Sequence, residues 1–414
     1  MTNPQTVRTL SGARLVALVC AAQVMVQIGA FFWPALLPSM MDLWGLTNSE
    51  AGWITGIFYA AYMIAVPVLV TLTDRVDARL IYLIGVGCTI AGHLLFGLVA
   101  EGFWSALALR ALAGVGWAGT YMTGLKLLAD QVDATMMSRA VSGHAASIGI
   151  SGALSFSCAG LLAAFYGWQA AFVVAGLSAA AAWLVVATWV PRRAHAKQDA
   201  GAAKLFDFRP VLRNRSAMAY SIAYCVHTLE MNALRGWGVA FLGFVAAGSG
   251  ASEGLLSPTT ILTALGLIGT AASVMGNEAA IRIGRRRLIA VAMLSSAAVA
   301  GVLGFVGSLS YGVAAGMLLV YGFIVWLDSS SLTAGSAGTA DPARRGATLA
   351  VHSTLGYAGG FVGPLMIGFI LDLYGGMSRL SWGLAFLAVA VLTLVALAIF
   401  MAIRPRELAG DRAA

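Results

Sequence analysis

The chain has 414 residues, of which 60% are hydrophobic and only 10% charged, with a formal net charge of +8 and a mean hydropathy of +0.86. Soluble domains carry about 25% charged residues, so a soluble globule is excluded, and recurring apolar runs of bilayer length indicate a polytopic membrane protein. In such a chain the positive charge does not point to nucleic acid, and its distribution among the loops carries the information.

Arg8 and Arg14 precede a long apolar stretch that has no small-residue cleavage site, so this stretch is expected to stay as the first span. Spans follow at about 15–41, 50–73, 80–100, 103–129, 140–165, 168–190, 216–247, 257–281, 288–308, 310–338, 347–373 and 380–403, twelve in all. The basic polar stretch 191–215 divides them, giving an expected N-terminal six-helix bundle over 1–190, a cytoplasmic linker over 191–215, and a second six-helix bundle with a tail over 216–414. Cys20, Cys88, Cys158 and Cys225 all sit inside apolar runs at unrelated spacings, which indicates neither disulfides nor a metal site.

Charge placement supports the count. With the N-terminus inside, the inner loops hold Arg8, Arg14, Arg75, Arg79, Arg139, the linker's basic residues, Arg282, Arg285–Arg287, Arg344, Arg345, Arg404, Arg406 and Arg412, while the outer loops hold Arg379 alone. Such one-sidedness follows the positive-inside rule and places both termini in the cytoplasm. The halves also repeat each other. Arg79 and Arg286, Arg139 and Arg345, and Tyr166 and Tyr374 are separated by 207, 206 and 208 residues. Two structural repeats with a site where they meet is the plan of a secondary transporter.

The seventh span is the most unusual stretch. It places His227, Glu230 and Arg235 near the centre of an apolar run, and each charge costs about 2.5–3.5 kcal/mol to insert. At about 100° per residue, Glu230 lies roughly −60° and Arg235 roughly +80° from His227, so each looks to a different neighbouring helix. The expected partners are Asp328 and Arg110, on other spans. Asp328 in span 10 is a second isolated carboxyl group, flanked by Ser329, Ser330 and Ser331. Gln23 and Gln27 in span 1 add neutral hydrogen-bonding groups one turn apart, and Lys126 and Asp130 are spaced for an i,i+4 pair. The deep charges thus fall on spans 4, 7 and 10.

The loop after span 2 reads Val70-x-x-x-Asp74-Arg75-x-Asp77-Ala78-Arg79, and the one after span 8 carries Arg282, Gly284, Arg285 and Arg286. Span 4 carries Arg110-x-x-x-Gly114-x-Gly116. These residues resemble the major facilitator superfamily, whose loop pattern is Gly-x-x-x-Asp-Arg-x-Gly-Arg-Arg. Asp74, Arg75 and Arg79 match it, Val70, Asp77 and Ala78 depart from it, and Ile281 stands where the second copy would have its acid. The resemblance covers nearly the whole chain. It implies an all-α fold of twelve transmembrane helices in two six-helix pseudo-repeats, with helices 1, 4, 7 and 10 lining a central cavity. It also implies a cytoplasmic gate formed by Asp74, Arg75, Arg79, Arg282, Arg285 and Arg286. Helix 5, rich in glycine but without proline, departs from the signature of the family's drug–proton antiporters.

The expected function is secondary transport of a small organic anion by alternating access, coupled to protons, in a bacterial plasma membrane. No catalytic cluster, phosphate loop or cofactor motif is present, so no enzyme activity, ATP coupling or cofactor is expected. Arg235, Arg110, His227 and Gln27 are the expected substrate-binding residues, and Glu230 and Asp328 the expected proton-coupling residues. The expected partners are the solute, protons and the lipid bilayer, around a monomer. Two alternatives remain: an exporter of cationic or hydrophobic compounds that uses the same carboxyl groups, and a non-transporting receptor or scaffold.

Overall fold

Backbone polar groups in hydrocarbon must be bonded within the protein, which restricts spanning structures to helices and closed barrels. The computed structural model, described here for residues 12–73, 75–192, 208–249 and 257–412, answers with helices, and no strand occurs among the described residues. Asp74 and linker residues 193–207 lie outside the described residues.

Each expected span has its helix. α1 runs Gly12–Gln27 and continues, after a break, through Phe32–Ala35 and Leu37–Trp44. α2 is Asn48–Leu72, α3 Ala78–Val99 and α4 Phe103–Ala129. A single helical run, Ala134–Trp189, holds α5 (134–166) and α6 (168–189), separated at Gly167, whose φ of 84° only glycine adopts without strain. α7 is Arg215–Ser249, α8 Pro258–Ile283 and α9 Arg285–Val306. α10 comes in two pieces, Tyr311–Trp326 and Ser329–Thr339, and α11 (Arg345–Leu373) and α12 (Arg379–Ile403) complete the set. Eight helical stretches meet the length and hydropathy of a membrane span on their own, one of them being the double run of α5 and α6. The others are the broken α1 and the helices α4 and α7, whose buried polar residues include Arg110 and Glu230.

Within the first half α3 packs on α4 and α1 on α5, and within the second α9 packs on α12 and α7 on α11. The halves meet along two seams, α2 against α11 and α5 against α8. Hydrogen bonds cross at both seams, from Asn48 and Ser49 to Asp372 and between Ser157 and Thr263. One end of the bundle carries Arg75, Arg282, Arg286 and Arg345 and is called the basic end below. The far end carries Gly45, Glu101 and Gly375.

Two helices are broken at mid-depth, and the chain supplies partners for the freed backbone there. In α1 the Phe31 N–H donates to the Ser155 hydroxyl of α5 at 2.9 Å, and the Ala30 carbonyl accepts from Arg110 Nη1 of α4 at 3.2 Å. Irregular backbone at this depth is tolerated where protein groups satisfy it. The break in α10 falls at Leu327–Asp328.

Candidate functional site

The breaks in α1 and α10 bring two aromatic rings to face one side chain of α7. Arg235 holds its guanidinium 4.9 Å from the Phe31 ring, at the α1 break, and 4.6 Å from Trp326, just before the α10 break. On the other half Arg110 lies 4.5 Å over the Phe58 ring of α2 and is only 3% exposed, so it does not snorkel to an interface. Phe31, Trp117 and Phe58 form a continuous edge-to-face chain between the two guanidiniums, with centroid distances of 6.3 and 5.3 Å. Cation–π contact stabilises such an arginine by about 0.5–2 kcal/mol, which does not offset the loss of water and counter-charge. Among the described residues neither Arg110 nor Arg235 forms an ion pair.

The carboxyl groups of the second half are elsewhere. Glu230, 3% exposed, points away from Arg235 into the bundle of its own half. There it accepts hydrogen bonds from Tyr321 of α10 at 2.7 Å and from Ser296 of α9 and Thr393 of α12 at 3.4 Å each. Asp328, at the α10 break, lies 2.9 Å from His227 Nδ1, both side chains buried, a contact that is an ion pair only while the imidazole is protonated. That contact lacks the alignment of a hydrogen bond, and His227 Nε2 has no partner either. Behind the pair, Tyr224 stacks between His227 and His352 of α11 at 5.7 and 4.1 Å, and His352 contacts the Ser221 and Thr333 hydroxyls at 3.2 and 3.3 Å. The structure therefore joins His227 with Asp328, but it separates Glu230 from Arg235 and gives Arg110 no carboxyl partner. Glu230 and Arg235 face different neighbours, as their spacing on the helix requires, whereas no charge of α7 pairs with Arg110. Tyr321, Tyr224 and His352 were not singled out from the sequence; the signal for His352 was an ionisable side chain within a span.

Gln27 is 2% exposed and neither amide atom has a partner. It lines a small internal cavity of about 10 Å³ with Trp117, His93, Thr89 and Thr120. Gln23 instead accepts from the Tyr82 hydroxyl at 3.0 Å, and Lys126 pairs with Asp130 at 2.7 Å.

The loop residues expected to form a gate divide in three. Arg79 donates to the Val186 and Ala187 carbonyls at the end of α6, at 3.4 and 2.5 Å, and so caps a helix of its own half. Arg75 is exposed and Arg282 pairs with Glu278 on the surface at 2.7 Å. Arg285 and Arg286 meet acids that sequence reading missed. Arg285 forms a two-point ion pair with Asp411, at 2.9 and 3.0 Å, both side chains 3% exposed. Glu407 accepts from the backbone N–H groups of Arg285 and Arg286 and from Arg286 Nε, at 3.0 to 3.1 Å. The acid missing at Ile281 is thus supplied by the tail, and the vacancy at that position was the signal that could have prompted the search.

A helix-only membrane bundle of two halves, with broken helices and buried charge where they meet, defines a secondary transporter architecture. The sequence model of the Major Facilitator Superfamily matches residues 18–364, and the chain belongs to that family of transporters. Among curated proteins it is similar to the human protein spinster homolog 1, 26% identical over 242 residues, covering 56% of this chain and 46% of that one. The Drosophila melanogaster protein spinster is 25% identical over 234 residues, covering 55% and 38%. The matched region spans less than half the length of these relatives. Among solved structures, a bacterial homolog to the human lysosomal transporter Spinster, in an inward-facing and occupied conformation, superposes with a TM-score of 0.77 at 16% identity, covering 97% of this chain and 98% of that one. The nucleoside transporter NupG gives 0.73 at 15% identity, covering 95% and 99%. The human organic anion transporter MFSD10 gives 0.66 at 18%, covering 94% and 100%.

Proposed function

We propose that the protein moves a small organic anion across the membrane by alternating access, with proton movement coupled through the second half. The observation that carries this reading is the pair of guanidiniums, one from each half, held among aromatic rings without a carboxyl partner. A buried charge without a partner is strongly unfavourable, and a carboxylate or phosphate on the solute is the partner an arginine fork accepts best. Arg235, which is only partly buried, makes first contact, and Arg110 on the opposite half closes on the bound anion. Glu230 among three hydroxyls, with the His227–Asp328 pair beside it, supplies the groups that take up and release the proton. This arrangement weakens the alternative of a cation exporter, because Glu230 is turned away from the aromatic chain. The division into bundles at the 191–215 linker, and a basic end facing the cytoplasm with both termini, are part of the same proposal.

The test is uptake into proteoliposomes. Arg235→Ala is expected to lose binding of anionic solutes, and Glu230→Gln to lose uptake driven by a pH gradient while retaining solute counterflow. Anion binding by Arg235→Ala at wild-type strength would reject the substrate reading, and full gradient-driven uptake by Glu230→Gln would reject the coupling role.

A further inference from the structure

At the far end the last turn of α11 reaches into the other half. One oxygen of Asp372 accepts from the Asn48 backbone N–H at 3.1 Å and from its Nδ2 at 2.8 Å, and the other accepts from the Ser49 N–H at 2.7 Å. The opening N–H groups of a helix have no partner within it, and the positive end of the helix dipole favours a carboxylate there. α2 therefore takes its cap from a residue 324 positions away. Below the cap the two helices touch through backbone. A Cβ at Gly52 would come within 2.8 Å of the Pro364 carbonyl oxygen, and one at Gly56 within 2.7 Å of that of Phe361. Two other charged groups at this end have partners of their own. Glu50 accepts from Thr47, at 2.9 and 3.1 Å, and Arg379 donates to the Phe305 carbonyl at 2.9 Å. Among the described residues Asp372 forms no ion pair.

We infer that Asp372 is a gating residue, which holds the far end of the two halves together and must let go each time that end opens. Rocking of one half against the other requires some contact at each end to be made and broken in every cycle. A carboxylate on three neutral donors suits this task. Charge assistance makes it stronger than an ordinary cap, and both sides find water when they part, so no buried charge is stranded. The inference rests on the family's alternating halves and not on the identity of the solute.

The experiment measures the distance between spin labels on Leu43→Cys and Leu380→Cys, exposed positions at the far end of opposite halves, with Cys20, Cys88, Cys158 and Cys225 replaced by Ser. Neither solute nor pH gradient is added, so the result is independent of the anion and proton proposals. Asp372→Ala is expected to raise the ratio of long to short distances about tenfold, and Asp372→Asn, which keeps one acceptor oxygen, to raise it less. Glu50→Gln, which alters only a cap within α2's own half, should leave the distribution as in wild type. A distribution unchanged in Asp372→Ala, or shifted equally in Glu50→Gln, overturns the inference. Should the alanine variant not purify as a monodisperse protein, the comparison of Asp372→Asn with Glu50→Gln decides it in the same way.

Discussion

Glu230 and Arg235 sit five residues apart on one helix and serve opposite sides of it, which separates their expected phenotypes. Glu230 depends on neutral donors, the shortest being the Tyr321 hydroxyl at 2.7 Å. Tyr321→Phe removes that donor, and hydrogen bonds to charged groups are worth about 1.5–3 kcal/mol. The expected outcome is weakened gradient-driven uptake with unchanged solute affinity, read by comparing uptake with binding on one preparation. Asp411 presents a different case, because its partner Arg285 is equally buried. Asp411→Ala leaves an uncompensated guanidinium, and breaking a buried pair from one side costs about 3–5 kcal/mol. Thermal unfolding of the purified protein should show a marked loss of stability for Asp411→Ala and substantial recovery in the double variant Arg285→Met/Asp411→Leu.

The helices themselves were legible because hydropathy speaks to length, which is a local property. The Gly167 boundary between α5 and α6 could also be read, since a Tyr-Gly step recurs in the second half at Tyr374-Gly375. A side chain at position 167 would be forced to φ 84° and ψ 163°, a region almost closed to residues with a Cβ that costs about 1–3 kcal/mol, so Gly167→Ala should lower the thermal midpoint without changing substrate affinity. The break in α1 was not legible. Residues 28–31 read as apolar helix, and the interruption persists because Ser155 and Arg110, from two other helices, satisfy the freed groups. Removing that support by Ser155→Ala strands the Phe31 N–H at about 1–3 kcal/mol. The expected result is reduced solute affinity together with reduced stability, since Phe31 also flanks Arg235. The partners of Glu230 and Arg285 escaped sequence reading for a related reason. A helical wheel gives the direction in which a charge points, but not which of eleven other helices stands there.

At the scale of the whole molecule, the two halves contribute unlike chemistry to the proposed path. The first supplies Arg110 within an aromatic setting, and the second supplies Arg235 together with the His227, Asp328 and Glu230 group. A solute that bridges the guanidiniums stabilises the folded protein by mass action, by about 2.7 kcal/mol at a hundred times its dissociation constant. A thermal-shift screen should therefore return organic carboxylates or phosphates and no organic cations, and the shift should vanish in Arg235→Ala. The tail has a bearing on how the molecule is assembled. Arg406 bonds both Ser216 and Tyr220 at the start of α7, at 3.1 and 2.9 Å, while Glu407 and Asp411 hold the start of α9. The second half is thereby fastened first helix to last by residues made after the chain's twelfth span, so during synthesis it stays open-ended until they emerge. A ribosome paused before residue 404 would therefore hold a second half that lacks the contacts joining the starts of α7 and α9 to the tail.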